Sequence, residues 1–542
     1  MSIASWIVPP QSLTKQEEGL VKCCKNVKKL VPFLRLNAQR IFSDAFQNKL
    51  ASVYRDTGAG LPAVAPGLMA MAWLLQAYFQ CSDAEAIVLT VTDLRWQMVL
   101  GCLGTTEPPF SQGAWVAFRE RMIAHNLDLQ LLERTVEVAK ASRGFDWKKL
   151  PKDLRVAMDS RPLEGAGRVE DTVNLLGHAA YRIAVTAGEL LGCSVADVCQ
   201  QAHCPVLLAP STKAGLDVDW SVPGEKHEAL NTLVEQVNAL HDWVQKKLPT
   251  DCLLNPLSPY IQALTQVKAQ DLEETKDGRV QIRDGVAPDR RVSIEDDEMR
   301  HGRKSRSKKY NGFKEHITSD LDANGLIRAC ALTAANEPDE VGGDAMMQDL
   351  KRQGQTVVEL HIDRAFINGG AAEEVHNSGG EVLCKPWHAK SKFPGMFSKA
   401  DFKIDVKRQT ITCPAGEVES YEPGEPVHFD PEKCGPCPLR GQCTSAASGR
   451  GRTVNISSDE ALQKKLRRLQ QTRPGRERLR ERVEVEHQQA RISQRKGRRA
   501  RYIGKRKNLL DLRRAASVQN LETIQLAEAR HDSEARQLKK VA

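Results

Sequence analysis

Leu154-Arg-Val-Ala-Met-Asp159 and the run from Thr356 to Asp363 are the two stretches that read as strands delivering a carboxylate. In the first, period-two alternation puts Leu154, Val156 and Met158 on one face and Ala157 and Asp159 on the other, with the strand ending at Asp159. Between them, strand signals at Phe313 to Thr318 and Leu326 to Leu332 predict a hairpin turning through Asp320-Leu-Asp-Ala-Asn-Gly325. A helix near Asp344 to Gln353 leads into the strand Thr356 to Asp363, and a helix near Ala371 to Asn377 and a strand Glu381 to Lys385 follow. The order β, ββ, α, β, α, β predicts a mixed sheet covered by helices, an α/β fold.

Upstream, Leu68, Met71, Leu74, Leu75 and Tyr78 recur at helical spacing, and Ser82 followed by Glu85 reads as a capping box. Residues 1–145 are therefore expected to form an all-helical N-terminal domain, serving dimerisation or DNA-end binding. The uncharged run Thr57 to Ser82 is broken by Gly58, Gly60, Pro62, Pro66 and Gly67, which favours a buried helix over a membrane span. The catalytic-type core is expected over 150–530, interrupted by a helical insertion at 173–290 and a cysteine-rich insertion at 387–460, with a tail at 531–542. From Leu462 to Leu510 the chain reads as helical and basic, and Leu512 to Glu528 as a closing helix.

Composition sets the class. At 542 residues, 41% hydrophobic and 27% charged, the chain has ample material for a core and no signature of wholesale disorder. Its net charge of +9 is a modest excess that matters more for where it sits, mainly near the C-terminus, than for its total. The first ten residues show neither a basic n-region nor an apolar h-region, so a cytoplasmic location and no membrane partner are expected. Fourteen cysteines spread over such a length read mostly as reduced core residues.

One cluster differs. Cys413, Cys434, Cys437 and Cys443 form a C-x20-C-x2-C-x5-C pattern whose Cys434-Gly-Pro-Cys437 pair has the spacing for two thiolates to grip one ion. Structural zinc is the favoured reading, with free thiols and an iron–sulfur cluster as the alternatives. Two basic tracts, one around Arg303, Lys304, Lys308 and Lys309 with Lys314 beyond, the other carrying Arg482, Arg498, Arg499 and Arg501, suit phosphate contacts. Trp387 and Tyr502 offer rings for stacking or for ordinary packing. On the basic helix, Glu486 falls on one stripe with Leu479, Val483 and Ala490 while Glu484 points away, which favours Glu486 over Glu484 as a ligand and leaves an ordinary salt bridge to a nearby arginine as the alternative.

Leu94-Arg-Trp-Gln-Met-Val-Leu-Gly101 within Pro66 to Arg121, Ala157-Met-Asp159-Ser160, Gly302 to His316, Ile362-Asp363-Arg-Ala-Phe366, Arg482-Val-Glu-Val-Glu486-His487, Gly497 to Gly504 and Asn520-Leu521 follow one another along the chain. Their content and order resemble bacterial insertion-sequence transposases of the DDE class. The resemblance covers most of the chain and is to the subgroup whose RNase H-like core carries a cysteine-rich insertion before the last acidic residue. It implies that Asp159, Asp363 and Glu486 form a DDE triad holding Mg2+ or Mn2+. It further implies double-stranded DNA, both element ends and target, as substrate, a homodimer on paired ends, and residence at the nucleoid. Leu479 and Ser493 stand where the family often has Tyr and Lys, whereas Arg482 is retained, so a frame centred on Glu484 stays open. Two rival functions also stay open: a DNA-binding protein derived from a transposase that has lost catalysis, and a metal-dependent nuclease without strand transfer.

Overall fold

The structure is a computed structural model and describes residues 5–24, 27–54, 63–387, 391 and 393–541; Gly58, Gly60 and Pro62 of the uncharged run lie outside them. It is mixed α/β. Two compact units divide the chain: a larger one of Met1–Leu154, Asp159–Thr356 and Val485–Ala542, and a smaller one of Arg155–Met158 and Val357–Glu484. Among the described residues the main sheet has six strands: β1 (Leu154–Glu164), β2 (Arg300–Arg303), β3 (Lys309–Asp320), β4 (Ile327–Ala334), β5 (Val357–His361) and β6 (Glu381–Leu383).

In the larger unit the order runs β2-β3-β1, with β4 also paired to β3. Successive parts of β3 serve two antiparallel partners: Arg300 opposite Gly312 in β2, then Phe313 opposite Ala334 in β4. Where β3 changes partner, Gly312 has a φ of 149° and a Cβ there would lie 2.2 Å from the Leu163 carbonyl, so only glycine lets β3 pass β1 so closely. The β3–β4 hairpin turns where expected: Asp320 Oδ1 accepts from the Asp322 and Ala323 amides. Strand β2 was not foreseen, because its residues read as a charge run.

The helices of the N-terminal stretch, from Lys15–Cys24 to Leu127–Lys140, enclose an apolar core with Trp73, Trp96 and Trp115 at its centre. Helix Pro66–Phe79 is the buried helix expected of the uncharged run, and Ser82 and Glu85 make the capping box, with the Glu85 amide 3.1 Å from Ser82 Oγ. Residues 172–271 form a separate helical cluster around Leu176, Ile183, Leu233 and Val237. Helix α1 (Asp339–Arg352) precedes β5. The long helix Lys505–Val541 shares the N-terminal core through Leu510, Val518, Leu521 and Ile524. From that helix Asn520 completes β4: its Oδ1 accepts from the Ile327 amide at 2.7 Å and its Nδ2 donates to the Ile327 carbonyl at 2.9 Å. A buried carboxamide thereby satisfies backbone groups that would otherwise be lost from water.

In the smaller unit the order is β1-β5-β6, β5 and β6 being parallel with helix α2 (Gly370–Asn377) connecting them. The cysteine-rich stretch supplies short antiparallel ladders around Phe402, Ile411, Tyr421, Val427 and Phe429. The basic segment Leu462 to Leu510, read as one helical run, holds three helices, α3 (Glu460–Gln471), α4 (Arg473–Arg480) and α5 (Val483–Lys496), and the start of the long helix Lys505–Val541. Thr472 caps α4 and Pro474 occupies its first turn, which explains the first break. Among the described residues no single helix is long and apolar enough to cross a membrane.

Candidate active site

Asp159 does not end its strand. It sits half-buried inside β1, which continues to Glu164, because Leu163 is fully buried and the Glu164 amide finds the Arg498 carbonyl at 2.8 Å. Period-two alternation stops being informative here since Val156, Ala157 and Met158 are all buried, as in a strand covered on both faces. The neighbouring residues are fixed by charge: Ser160 Oγ donates to Asp339 at 2.8 Å and Arg161 pairs with Glu315.

The packed stripe of α5 is Val485, Gln488, Gln489 and Ile492, not the stripe of Val483, Glu486 and Ala490, all three of which are exposed. The expected stripe fails because Leu479 belongs to α4, so its phase does not carry across the break at residues 481 and 482. Burial therefore gives no reason to choose Glu486 over the half-buried Glu484. A contact does. Gln489, on the next turn after Glu486, donates from Nε2 to the Asp159 carbonyl at 3.2 Å and to the Glu315 carbonyl at 3.4 Å. Residues three apart are neighbours on a helix, so the exposed Glu486 lies one turn before the contact that Gln489 makes with β1 at Asp159. Glu484 is five residues from Gln489 and lies well round the helix from it.

Helix α5 is pinned at its far end as well. Lys496 is buried and its Nζ donates to Glu315 Oε1 at 2.6 Å while lying 3.0 Å from Asp511 Oδ2.

Asp363 lies in the smaller unit, two residues past β5 and exposed. Its Oδ1 accepts from the Arg364 amide at 2.9 Å, which starts the turn Arg364–Phe366. Buried Phe366 and the bond from the Ile362 amide to the Leu383 carbonyl at 3.0 Å hold the turn against β6. Just after β6, burial pushes the Cys384 thiol up to about 12, with Asp459 and Asp363 adding to the effect and Arg364 and Arg482 opposing it. Arg482, half-buried between α4 and α5, is thus within electrostatic reach of the same thiol as Asp363.

A charged cluster that the sequence reading missed also lies in the smaller unit. Ligand atoms of Glu359, His361 and Glu481 lie within 4.8 Å of one another. By donor chemistry the set could hold a divalent ion, but guanidiniums already sit on it: Arg155 Nη2 is 2.8 Å from Glu359 Oε1 and also pairs with Glu481, and Arg478 Nη2 is 2.5 Å from Glu359 Oε2. Burial alone would raise the Glu359 carboxyl; hydrogen bonds from His361 and Arg155 outweigh it and hold the group well below the ordinary range. The available signal was the pair Glu359 and His361, two apart on one strand and hence on one face.

The four cysteines of the cluster line one cavity of about 230 Å3, with Phe397, Phe429 and Arg440. The Glu417 amide donates to Cys413 Sγ at 3.3 Å across a turn in which Gly416 has a φ of 96°. Burial raises the Cys443 thiol, Arg452 opposes this, and the neighbouring Cys434, Cys413 and Cys437 each raise it further.

Arg303, Lys304, Lys308 and Lys309 are exposed at the tip joining β2 to β3, as phosphate contact requires. Lys314 is otherwise engaged, its Nζ donating to Asp339 Oδ1 and to the Glu337 carbonyl, both at 2.6 Å. Arg498 and Arg499 are exposed beside the end of β1, whereas Arg501 is 3.2 Å from Asp83 Oδ1 and donates to the Cys81 carbonyl. Arg119 lies over the Tyr502 ring at 5.1 Å and Arg364 over that of Trp387 at 5.1 Å, so both rings already have partners.

Residues 412–525 match the family model described as a transposase DDE domain. The matched segment contains the four cysteines, Glu484, Glu486 and the basic run through Arg501, while Asp159 and Asp363 lie upstream of it. No curated protein and no solved structure matches the chain.

Proposed function

We propose that this chain, which carries a DDE-class transposase domain, is an insertion-sequence transposase that cleaves element ends and joins the freed 3′-hydroxyl to target DNA. Its core on this reading is RNase H-like, with residues 1–145 as an insertion-sequence-type N-terminal domain, the insertions at 173–290 and 387–460, and a dimer acting on paired ends. The observation that carries the reading is the hydrogen bond from Gln489 to the Asp159 carbonyl, which ties a helix of the matched segment, at the turn after Glu486, to the first acidic strand.

Asp159, Asp363 and Glu486 are the residues that would hold Mg2+ or Mn2+. When bound, such ions activate a water or 3′-hydroxyl and stabilise the leaving oxygen. Gln489 and the Lys496 pair keep α5 seated while DNA enters, and the β2–β3 tip with Arg498 and Arg499 supplies phosphate contacts. Purified protein should cut a duplex carrying the DNA that flanks its coding sequence, in a divalent-metal-dependent way, and join the 3′ ends to a second duplex. Cutting without joining would leave the nuclease, and binding without cutting the inactive derivative.

DNA affinity is expected to fall steeply with salt. Replacing Arg498 and Arg499 by Gln should flatten the plot of log affinity against log salt by about one unit per lost phosphate contact. Arg501→Gln should change it less, since that side chain is shared with Asp83. Equal slopes in all variants would remove this tract from the DNA interface.

Cys413, Cys434, Cys437 and Cys443 are proposed to hold one structural zinc ion, with the Glu417 amide supporting one thiolate. Cys437→Ser should lower bound zinc by elemental analysis, while Cys330→Ser, a fully buried thiol elsewhere, should leave it unchanged. Equal zinc in both variants would reject the assignment.

A further inference from the structure

Helix α5 carries cations on the side away from its sheet contacts. Gln489 and Lys496 reach β1 and β3, while Arg491, Gln494 and Arg495, at i, i+3 and i+4, lie across the helix from them. These three line a cavity of about 550 Å3 together with Lys28 and Lys29, just before helix Leu30–Ile41, and Tyr78 and Gln80 at the end of Pro66–Phe79. The long helix Lys505–Val541 adds Gln519, Glu522 and Gln525. A second cavity of about 560 Å3 shares Gln80, Gln494 and Arg495 with the first and continues to Arg499 and Arg501. All of these residues belong to the larger unit.

The lining is mostly of one sign. In the first cavity Glu522 is the single lining carboxylate against Lys28, Lys29, Arg491 and Arg495, and Arg495 takes it at 2.5 Å. Lys29 and Arg491 are exposed and have no carboxylate partner among the described residues. Half-buried Lys28 lies over the Tyr78 and Phe79 rings at 4.9 and 4.7 Å rather than beside an acid. In the second cavity Asp511 is shared by Lys496 and Arg514, and Arg501 is paired with Asp83. That leaves Arg499 exposed, its guanidinium donating to the Ala166 carbonyl at 3.3 Å. A concave surface of one sign concentrates ions of the other.

Resting on the transposase reading above, we propose that this trough seats the phosphodiester backbone of duplex DNA, so that the N-terminal helices and α5 form one composite DNA surface. Repeated phosphates match uncompensated cations spread over two adjoining cavities, whereas a single free anion would meet those of one cavity. The trough reaches Arg499, a phosphate contact on the same reading, and extends that contact to Lys28 and Lys29 of the N-terminal stretch. Between the cations, the Gln80, Gln494 and Gln525 carboxamides can donate to phosphate and sugar oxygens. Such contacts set the position of the duplex and carry no sequence information.

Fluorescence anisotropy of the full chain with the duplex that flanks its coding sequence, over a salt series, tests this beside amine-reactive labelling of the complex. Lys29→Gln combined with Arg491→Gln should flatten the plot of log affinity against log salt by about two units, one per lost contact, with the unfolding midpoint unchanged. Lys246→Gln combined with Lys247→Gln removes the same charge from exposed positions in the helical cluster and should leave the slope as in the wild type. Bound duplex should protect Lys29 from labelling severalfold and leave Lys247 as reactive as in the free protein. The labelling uses wild-type protein, so it decides the matter if the Lys29 and Arg491 variant does not fold. A wild-type slope in that variant, an equal change in the Lys246 and Lys247 variant, or a Lys29 left unprotected would each overturn the proposal. A shift in sedimentation with an unchanged DNA slope would give the trough to a second copy of the chain and overturn it too. Wild-type protein that binds no duplex fails the transposase reading and this inference together. Wild-type protein that binds and cuts duplex while Lys29 stays unprotected fails this inference alone.

Discussion

Asp159→Asn, Asp363→Asn and Glu486→Gln are each expected to reduce DNA cleavage by several orders of magnitude while leaving DNA binding largely intact. Each change keeps side-chain shape and removes a negative charge that the proposed metal centre would use, and losing an essential electrostatic contact at a phosphoryl-transfer centre costs about 4 kcal/mol or more, near a thousandfold in rate. The basic tip at Arg303 to Lys309 is untouched by these changes, so affinity for duplex should persist. Glu484→Gln supplies the internal comparison. Glu484 shares the helix with Glu486 but lies away from the face that Gln489 seats on Asp159, and its variant should keep most activity. A dead Glu484 variant beside an active Glu486 variant would move the third ligand by two residues and restore the alternative frame.

Lys496→Met is expected to destabilise the larger unit by about 3 kcal/mol or more, the usual cost of breaking a buried ion pair by removing one partner. Lys496 is 5% exposed, Glu315 fully buried and Asp511 5% exposed, so the carboxylates left behind have little access to water. Arg161 and Arg514 still pair with them, which keeps the loss short of complete unfolding. Burial would raise the Asp511 carboxyl, yet Lys496 and Arg514 hold it well below the ordinary range. A depressed carboxyl contributes stability that is complete above its unfolded value, near 3.9, and is lost as pH falls through the folded value. Denaturant unfolding should thus show the cost of Lys496→Met shrinking at low pH, and shrinking at neutral pH in an Asp511→Asn background. A cost below about 1 kcal/mol at neutral pH would contradict the pinning role.

How far the sequence could be read depends on which periodicity governs each segment. The β3–β4 hairpin, the helices α1 and α2 and the buried helix Pro66–Phe79 follow from turn residues and apolar spacing, which are local. Strand β2 was hidden because Arg300 to Arg303 is charged; it pairs through backbone register with β3 and its side chains carry no apolar alternation. Asp159 looked like a strand end because both faces of β1 are covered, so the pattern that marks a half-exposed strand ends early. For Glu486 the residue was singled out on a stripe that does not exist, since a break between α4 and α5 resets helical phase. Its support comes from Gln489, a tertiary contact that no single-segment pattern encodes. Likewise the charged cluster around Arg155 joins residues over 300 positions apart in the chain, with only the Glu359 and His361 spacing as a local trace.

The central claim is that Asp159, Asp363 and Glu486 serve one divalent-metal centre, and Mn2+ binding to the full chain in the presence of a cleavage-resistant DNA duplex tests it most directly. Bound Mn2+ should be present in the wild type and in Glu484→Gln, and should drop at least tenfold in affinity in Asp159→Asn, Asp363→Asn and Glu486→Gln alike, as expected when a charged ligand is lost from a site with few protein ligands. Unchanged Mn2+ affinity in all three of those variants would contradict the account.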